Sequence, residues 1–204
     1  MISTGNDIVA LGSINKTRTC EPRFYSKILS AAEQELYYQL EFTTLPFENY
    51  VWLLWSVKES AFKYLQRNNH QLIFSPIKIS VLTVDVHPYQ HYSGSLQFGH
   101  HYLFFRSTIT NDWISTVVNE EDDFEYIFND VQAIEYDNRQ YQSDAVRAFA
   151  LDKLNAFFEG EFAIEKSESN YPILVKDAKR VNTPISLSHD GYFVAYSFNF
   201  NPTL

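Results

Sequence analysis

Three short segments of the 204-residue chain carry residue types that could do chemistry. Gly5-Asn6-Asp7-Ile8-Val9 places one acid inside a short apolar run. A carboxylate there is unfavourable unless it is paired, exposed or bound to a cation. The simplest reading of Asp7 alone is a strand residue facing water. Trp55-Ser56-Val57-Lys58-Glu59-Ser60-Ala61-Phe62-Lys63 sets Glu59 and Lys63 four residues apart, on one face of a helix. They could form a stabilising pair worth about 0.2–0.5 kcal/mol. Alternatively, Glu59 could ligate a metal while Lys63 contacts a phosphate. In Ile185-Ser186-Leu187-Ser188-His189-Asp190-Gly191 a strand ends in a Ser-His pair and Asp-Gly turns the chain back. An ordinary hairpin with a surface histidine fits this segment. A Ser-His-Asp hydrolase triad does not, because sequence neighbours rarely converge as that triad needs. There is no Gly-x-Ser-x-Gly elbow either.

The elements that would position these residues are legible from periodicity. Asn6–Leu11 reads as a short apolar strand. Ser30 with Glu33 forms a capping-box pattern ahead of a helix over Ala31–Glu41. Pro46 suits the first turn of a second helix, running to about Arg67. Val51, Leu54, Trp55, Ala61, Phe62 and Leu65 give that segment a helical period. Ile77–Val86, Ser95–Phe98, Tyr102–Ser107 and Trp113–Val118 alternate as strands, with Gly99 and Asn111-Asp112 at turns. Further on, Ser143 is expected to cap a helix Asp144–Phe158, with Val146, Phe149, Ala150, Leu154 and Phe157 on its apolar face and Gly160 at its end. Phe162–Ile164, Ile173–Val175, Pro184–Ser188 and Phe193–Phe198 read as strands. Helices mixed with antiparallel strands in both halves point to an α+β fold rather than a doubly wound sheet.

Composition bounds the function. Lys plus Arg is 16 against 25 for Asp plus Glu, a net charge of −9, which argues against a general nucleic-acid binder. Hydrophobic residues at 45% and charged residues at 20% describe a globular chain with a core. Cys20, the single cysteine, can neither close an internal disulfide nor build a cysteine zinc site. Residues 1 to 18 carry no apolar h-region of a signal peptide, and the apolar stretch around Tyr50–Trp55 is too short to span a bilayer. The expectation is a soluble protein of a reducing cytoplasm. The charge is uneven. Residues 1–119 hold nine bases and nine acids, so the whole −9 falls in 120–204. Eight acids and no base crowd Glu120–Asp137. Such a run is ordinarily solvated surface, and its position marks it as a connection between two α+β units. The expected organisation is an N-terminal half over 1–119, an acidic connector over 120–142 and a C-terminal half over 143–204.

Taken in order, the segments resemble the 4′-phosphopantetheinyl transferase superfamily. The resemblance rests on Gly-x-Asp-Ile-Val, then Arg23-Phe24 with Ile28-Leu29 and Glu33, then Trp-x-x-Lys-Glu-Ser-x-x-Lys, and finally Ile-Ser-Leu-Ser-His-Asp-Gly. It spans Gly5–Lys63 and roughly Ser143–Phe198. In the larger, surfactin type of the family the Ser-His motif comes first. Here it comes last, as in the small holo-acyl-carrier-protein synthases, which are far shorter and work as trimers. The second half nevertheless looks like the N-terminal half of the surfactin type. The order therefore implies a swapped pseudo-dimer of two similar halves, able to build one cleft per chain and to act as a monomer.

The resemblance implies transfer of the 4′-phosphopantetheine arm of coenzyme A to a serine of an apo acyl or peptidyl carrier protein, releasing adenosine 3′,5′-bisphosphate. It implies Asp7 and Glu59 as ligands of Mg²⁺, Glu59 or a water it orients as the proton acceptor, and Lys63 as a point charge on the pyrophosphate. Ser188 and His189 would contact the nucleotide-side phosphates, Arg147 the coenzyme A end, and Arg23 is a further candidate for that end. Several residues depart from the family pattern. Val9 stands where the surfactin type has a second acid. Asn6 replaces a commonly apolar residue. Asn170-Tyr171-Pro172 stands where many relatives have Gly-Lys-Pro, which removes a phosphate-binding lysine for which Lys176, Lys179 or Arg180 could compensate. Gln66-Arg67-Asn68-Asn69 replaces the usual glycine after the helix. These departures motivate the alternative, a silent relative that binds coenzyme A or a carrier protein as a regulatory or scaffold module. A small acidic carrier would need a local apolar or basic patch to dock on a chain of net −9. Phe42–Tyr50 is a candidate patch, though core packing explains it as well.

Overall fold

The computed structural model describes residues 3–39, 45–167 and 171–200. The expected helix end at Glu41, residues 42–44 of the 42–50 aromatic stretch and Asn170 lie outside these residues. The chain opens with β1 (Gly5–Ala10), every residue of which is buried. Two short helices follow, α1 (Lys16–Thr19) and α2 (Pro22–Tyr25), and then α3 (Ala31–Gln39). The capping box forms: the Glu33 amide donates to Ser30 Oγ at 3.2 Å, and the Ser30 amide donates to Glu33 Oε2 at 2.7 Å. Next comes α4 (Phe47–Gln66), entered through Pro46. Its residues Val51, Leu54, Val57, Ala61 and Leu65 fill the larger core, while Trp55 and Phe62 are only partly covered.

A meander follows: β2 (Ser80–His87), β3 (His91–Phe98), β4 (His101–Ile109) and β5 (Trp113–Asn119). The strand expected from Ile77 begins at Ser80, because Pro76–Lys78 forms a 3₁₀ turn. β1 joins the meander's free edge, so the five-stranded sheet has the order β1-β5-β4-β3-β2, antiparallel throughout. Helix α4 packs across β1 and β5.

The acidic stretch is not a bare connector. Ile127–Ala133 forms β6, which pairs with the last strand of the chain. Its polar residues Asn129 and Asp130 face water on an edge strand, so an acid-rich sequence is compatible with pairing. Only 120–126 then links the two sheets, and Phe124 and Ile127 pack on Val117 there. Helix α5 (Arg139–Phe157) begins five residues before the expected start. Asn138, not Ser143, is its N-cap and accepts from the Tyr141 amide at 3.0 Å. Val146, Ala150 and Leu154 are buried as expected, whereas Phe157 is 59% exposed. Then come β7 (Phe162–Lys166), β8 (Pro172–Lys176), β9 (Lys179–Arg180), β10 (Ile185–Asp190) and β11 (Phe193–Asn199). They form two three-stranded sheets, β10-β11-β6 and β7-β8-β9, with a second core around Leu154, Leu174, Ile185 and Phe198. The architecture is α+β with antiparallel sheets. No helix among the described residues is long and apolar enough to cross a membrane.

Candidate functional site

The two cores meet where β1 lies against β10 and β11. Backbone pairing does not make this junction; side chains do. The Asn6 amide donates to Ser186 Oγ at 3.1 Å and Asn6 Nδ2 donates to Ser188 Oγ at 2.9 Å. The Ala10 amide donates to Asp190 Oδ2 at 2.8 Å, and Thr4 and Ser197 share a hydroxyl hydrogen bond of 2.9 Å. β1 is thus held on one edge by β5 and on the other by short polar side chains of the second half. This satisfies backbone donors that burial would otherwise strand. Asn6, a departure in the sequence, is the residue that makes two of these ties.

On its other face β1 meets α4. A Cβ on Gly5 would sit 2.0 Å from the Ser60 carbonyl oxygen, so only glycine lets strand and helix approach this closely. That approach brings Asp7 to the helix face bearing Glu59 and Lys63. Lys63 Nζ lies 3.0 Å from Asp7 Oδ1 and 3.4 Å from Glu59 Oε1, and it also donates to the Asn6 carbonyl at 3.0 Å. The expected i,i+4 pair is present, and it is one limb of a three-residue cluster. Asp7 is not a surface residue: its side chain is 6% exposed. Burial pushes its carboxyl up to about 7, against the pull of Lys63 and with the push of Glu59. Burial opposes the charge on Lys63, yet the carboxylates of Asp7 and Glu59 outweigh it and hold the ammonium above its ordinary range.

This cluster borders a cavity of about 400 Å³. Asp7, Glu59, His189 and Asp190 line it at the polar end, and Ile14, Phe24, Trp52 and Trp55 form an apolar wall. His189 comes from the second half. Burial, then the positive charges of Lys63, Arg139 and Arg147, push its imidazole below the ordinary histidine range, with Asp190 opposing. It is therefore mostly neutral at pH 7.

The other sequence candidates fall differently. Ser188 is buried, and its hydroxyl donates to the Ala195 carbonyl at 3.4 Å while accepting from Asn6, so it ties the halves together and does not line the cavity. Arg147 folds back on the carbonyl and hydroxyl of Ser143 one turn earlier on its own helix. Arg23 pairs with Glu21 at 2.7 Å and points to solvent. The arginine that does line the cavity is Arg18, packed over the Phe24 ring at 5.2 Å. It escaped sequence reasoning because it lies on a four-residue helix with no periodic signal. Lys58, the first lysine of the helix motif, points away from the cavity. It is fully buried, bonded to Glu33 Oε2 at 2.7 Å and to the Ile28 carbonyl at 2.6 Å.

The donor set fits a hard divalent cation of the Mg²⁺ kind. Two carboxylates converge, and Asp7 Oδ2 is buried with no hydrogen-bond partner. Mg²⁺ is commonly held by one or two carboxylates together with waters and substrate phosphates. Among the described residues no three or more His, Cys, Asp or Glu side chains are placed to hold one metal ion together.

Comparison with known families adds one finding. A family model, described as the 4′-phosphopantetheinyl transferase superfamily, matches residues 3–118. That span holds β1, α4 and the whole Asp7–Glu59–Lys63 cluster. Comparison with curated proteins and with solved structures gave no match.

Proposed function

Because the chain belongs to the 4′-phosphopantetheinyl transferase superfamily, we propose that it moves the 4′-phosphopantetheine group of coenzyme A onto a serine of an apo acyl or peptidyl carrier protein. The observation that supports this most is the convergence of Asp7 and Glu59 on one lysine beside a cavity that a histidine of the other half also borders. Transfer to a serine forms a bond from its Oγ to a pyrophosphate phosphorus and breaks the bridging P–O bond. Adenosine 3′,5′-bisphosphate leaves, and the serine proton must go to a base. Asp7 and Glu59 would hold Mg²⁺, which when bound would neutralise charge on the phosphates. Lys63 sits where it can screen the pyrophosphate as a point charge. Glu59, whose side chain is 30% exposed beside the cavity, would serve as the base for the incoming hydroxyl. Neutral His189 can donate a hydrogen bond to a phosphate oxygen without a fixed counter-charge. One chain supplies both sides of the cleft, which supports a pseudo-dimeric monomer.

The test is the intact mass of an apo carrier protein after incubation with this protein, coenzyme A and Mg²⁺. Parallel samples contain EDTA or the Glu59→Ala variant. A gain of one phosphopantetheine that needs the metal and Glu59 is the expected result. No gain with several carriers, from folded protein that still binds coenzyme A, would replace the transferase with a binding module.

A further inference from the structure

The second sheet covers only part of the first. β10 lies against β1, and β11 lies against β1 and β5. β6 follows β11 and ends that sheet. A cavity of about 700 Å³ opens beyond it, over the outer face of β3, β4 and β5. It shares no lining residue with the cavity at Asp7 and Glu59. Short hydroxyl side chains, Ser93, Thr108 and Ser115, leave room on its floor, with Arg106, His87 and His91 among them. Asn129 and Val131 of β6 wall it. The backbone of β6 is only half used. The Phe200 amide donates to the Tyr126 carbonyl at 3.0 Å, and the Ile134 amide to the Tyr192 carbonyl at 2.9 Å. Hydrogen-bonded residues alternate along an antiparallel pair, so Phe128, Asp130 and Gln132 bond β11. The backbone groups of Ile127, Asn129, Val131 and Ala133 therefore point to the free edge. Two of those amides are occupied locally: Ile127 donates to the Phe124 carbonyl at 3.1 Å and Val131 to Asp130 Oδ1 at 2.8 Å. The amides of Asn129 and Ala133 are left to a further strand.

We propose that an extended acidic segment of a partner protein adds to the free edge of β6 as a fourth strand and fills this cavity. A strand about 4.8 Å beyond β6 continues the second sheet across the first. Charge selects an acidic occupant. Arg106 packs over the Phe124 ring at 4.5 Å and makes no ion pair among the described residues. His87 uses one ring nitrogen on Ser93 Oγ at 2.7 Å, and His91 one on Thr108 Oγ1 at 2.9 Å, so each has a second nitrogen to offer. Two acids stand at the cavity, Asp122 and Asp130. Asp130 is held by Lys153 of α5 at 3.1 Å, which leaves Asp122 alone against Arg106 and two imidazoles. Side chains of an added strand alternate, so carboxylates two residues apart would share the face turned to Arg106. Main-chain bonds to β6 supply the affinity, and Arg106 supplies the preference for acid. The assignment stands apart from the transferase reading.

The experiment is an NMR titration of the ¹⁵N-labelled full chain with the peptide acetyl-Thr-Glu-Val-Glu-Thr-amide and with its counterpart carrying lysine at both glutamates. The acidic peptide should shift the amides of Asn129, Val131 and Ala133 and bind at least about tenfold more tightly than the lysine peptide. Arg106→Gln, a change at an exposed residue, should bring that ratio towards one. Asn129→Pro removes a donor that points away from β11, so it spares the existing ladder and should weaken the acidic peptide at least about tenfold. No shift on β6 at millimolar peptide overturns the proposal, as do equal binding of the two peptides and an unchanged affinity in folded Asn129→Pro. Should Asn129→Pro fail to fold, an acid preference that survives Arg106→Gln overturns it instead. Self-association that is lost in Asn129→Pro, with neither peptide bound, would give the edge to a second copy of this chain and overturn the partner segment.

Discussion

Asp7 is a buried acid in a strand whose other residues carry no charge. Its carboxyl sits near 7 because burial outweighs Lys63, whereas an unfolded aspartate sits at 3.8. The folded state therefore holds a proton that the unfolded state gives up between those values. Asp7's contribution to stability is present below 3.8 and is lost as pH rises through about 7. Chemical denaturation at pH 5.5 and pH 8 should show the wild type losing stability across this window by more than Asp7→Asn does. Millimolar Mg²⁺ at pH 8 should raise the wild-type melting temperature and leave Asp7→Asn unmoved. Equal pH slopes would show that Asp7 is charged throughout. At this scale the sequence is informative where motif residues are local: Glu59 and Lys63 pair as their spacing says. It is silent where the partner is distant. Nothing in Gly5–Val9 announces that Asp7 is buried against the helix, because the cause is a strand–helix packing too close to leave room for a Cβ on Gly5.

Within α4, two lysines five residues apart have opposite roles. Lys58 and Glu33 are 0% and 1% exposed, and Glu33 also accepts from the Val81 amide at 2.8 Å, so the pair joins α3, α4 and β2. Removing one partner of a buried pair strands the other charge. Lys58→Met should lower the unfolding free energy by about 3–5 kcal/mol in urea titration. Lys63→Met should change stability little, because Asp7 can take up a proton near pH 7 in place of its counter-ion, yet it should cut the transfer rate about a hundredfold. Comparable destabilisation by the two substitutions would refute this division. Whole elements follow the pattern of their sequence where one apolar face decides them, as in α4 and the meander. They depart where polar residues carry the structure. β6 is an edge strand on which the consecutive residues Asn129 and Asp130 are both exposed, so the apolar–polar alternation is broken. The start of α5 is set by the Asn138 cap, in a stretch with no apolar period to mark it.

At the scale of the whole molecule, the junction between halves decides whether one chain suffices. Asp7, Glu59 and Lys63 come from the first half and His189 from the second, yet β1 is tied to β10 by Asn6, Ala10 and Asp190 of the same chain. The order of motifs implies two halves, and the chain folds around two separate main cores. The tie was not legible, because serine, asparagine and aspartate side chains read in sequence as residues facing water. A site shared between copies would behave differently from one built within a chain. Glu59→Ala lacks the first-half carboxylate and His189→Ala lacks the second-half imidazole, so in a shared site an interface with one intact residue from each copy would regain transfer. In a site built within the chain, every chain in the mixture carries one defect. Mixing equal amounts of the two variants, with prior exchange under mild denaturant, should give a transfer rate equal to the mean of the separate rates. Recovery well above that mean would place the cleft between copies, and a sedimentation profile dominated by an oligomer would accompany it.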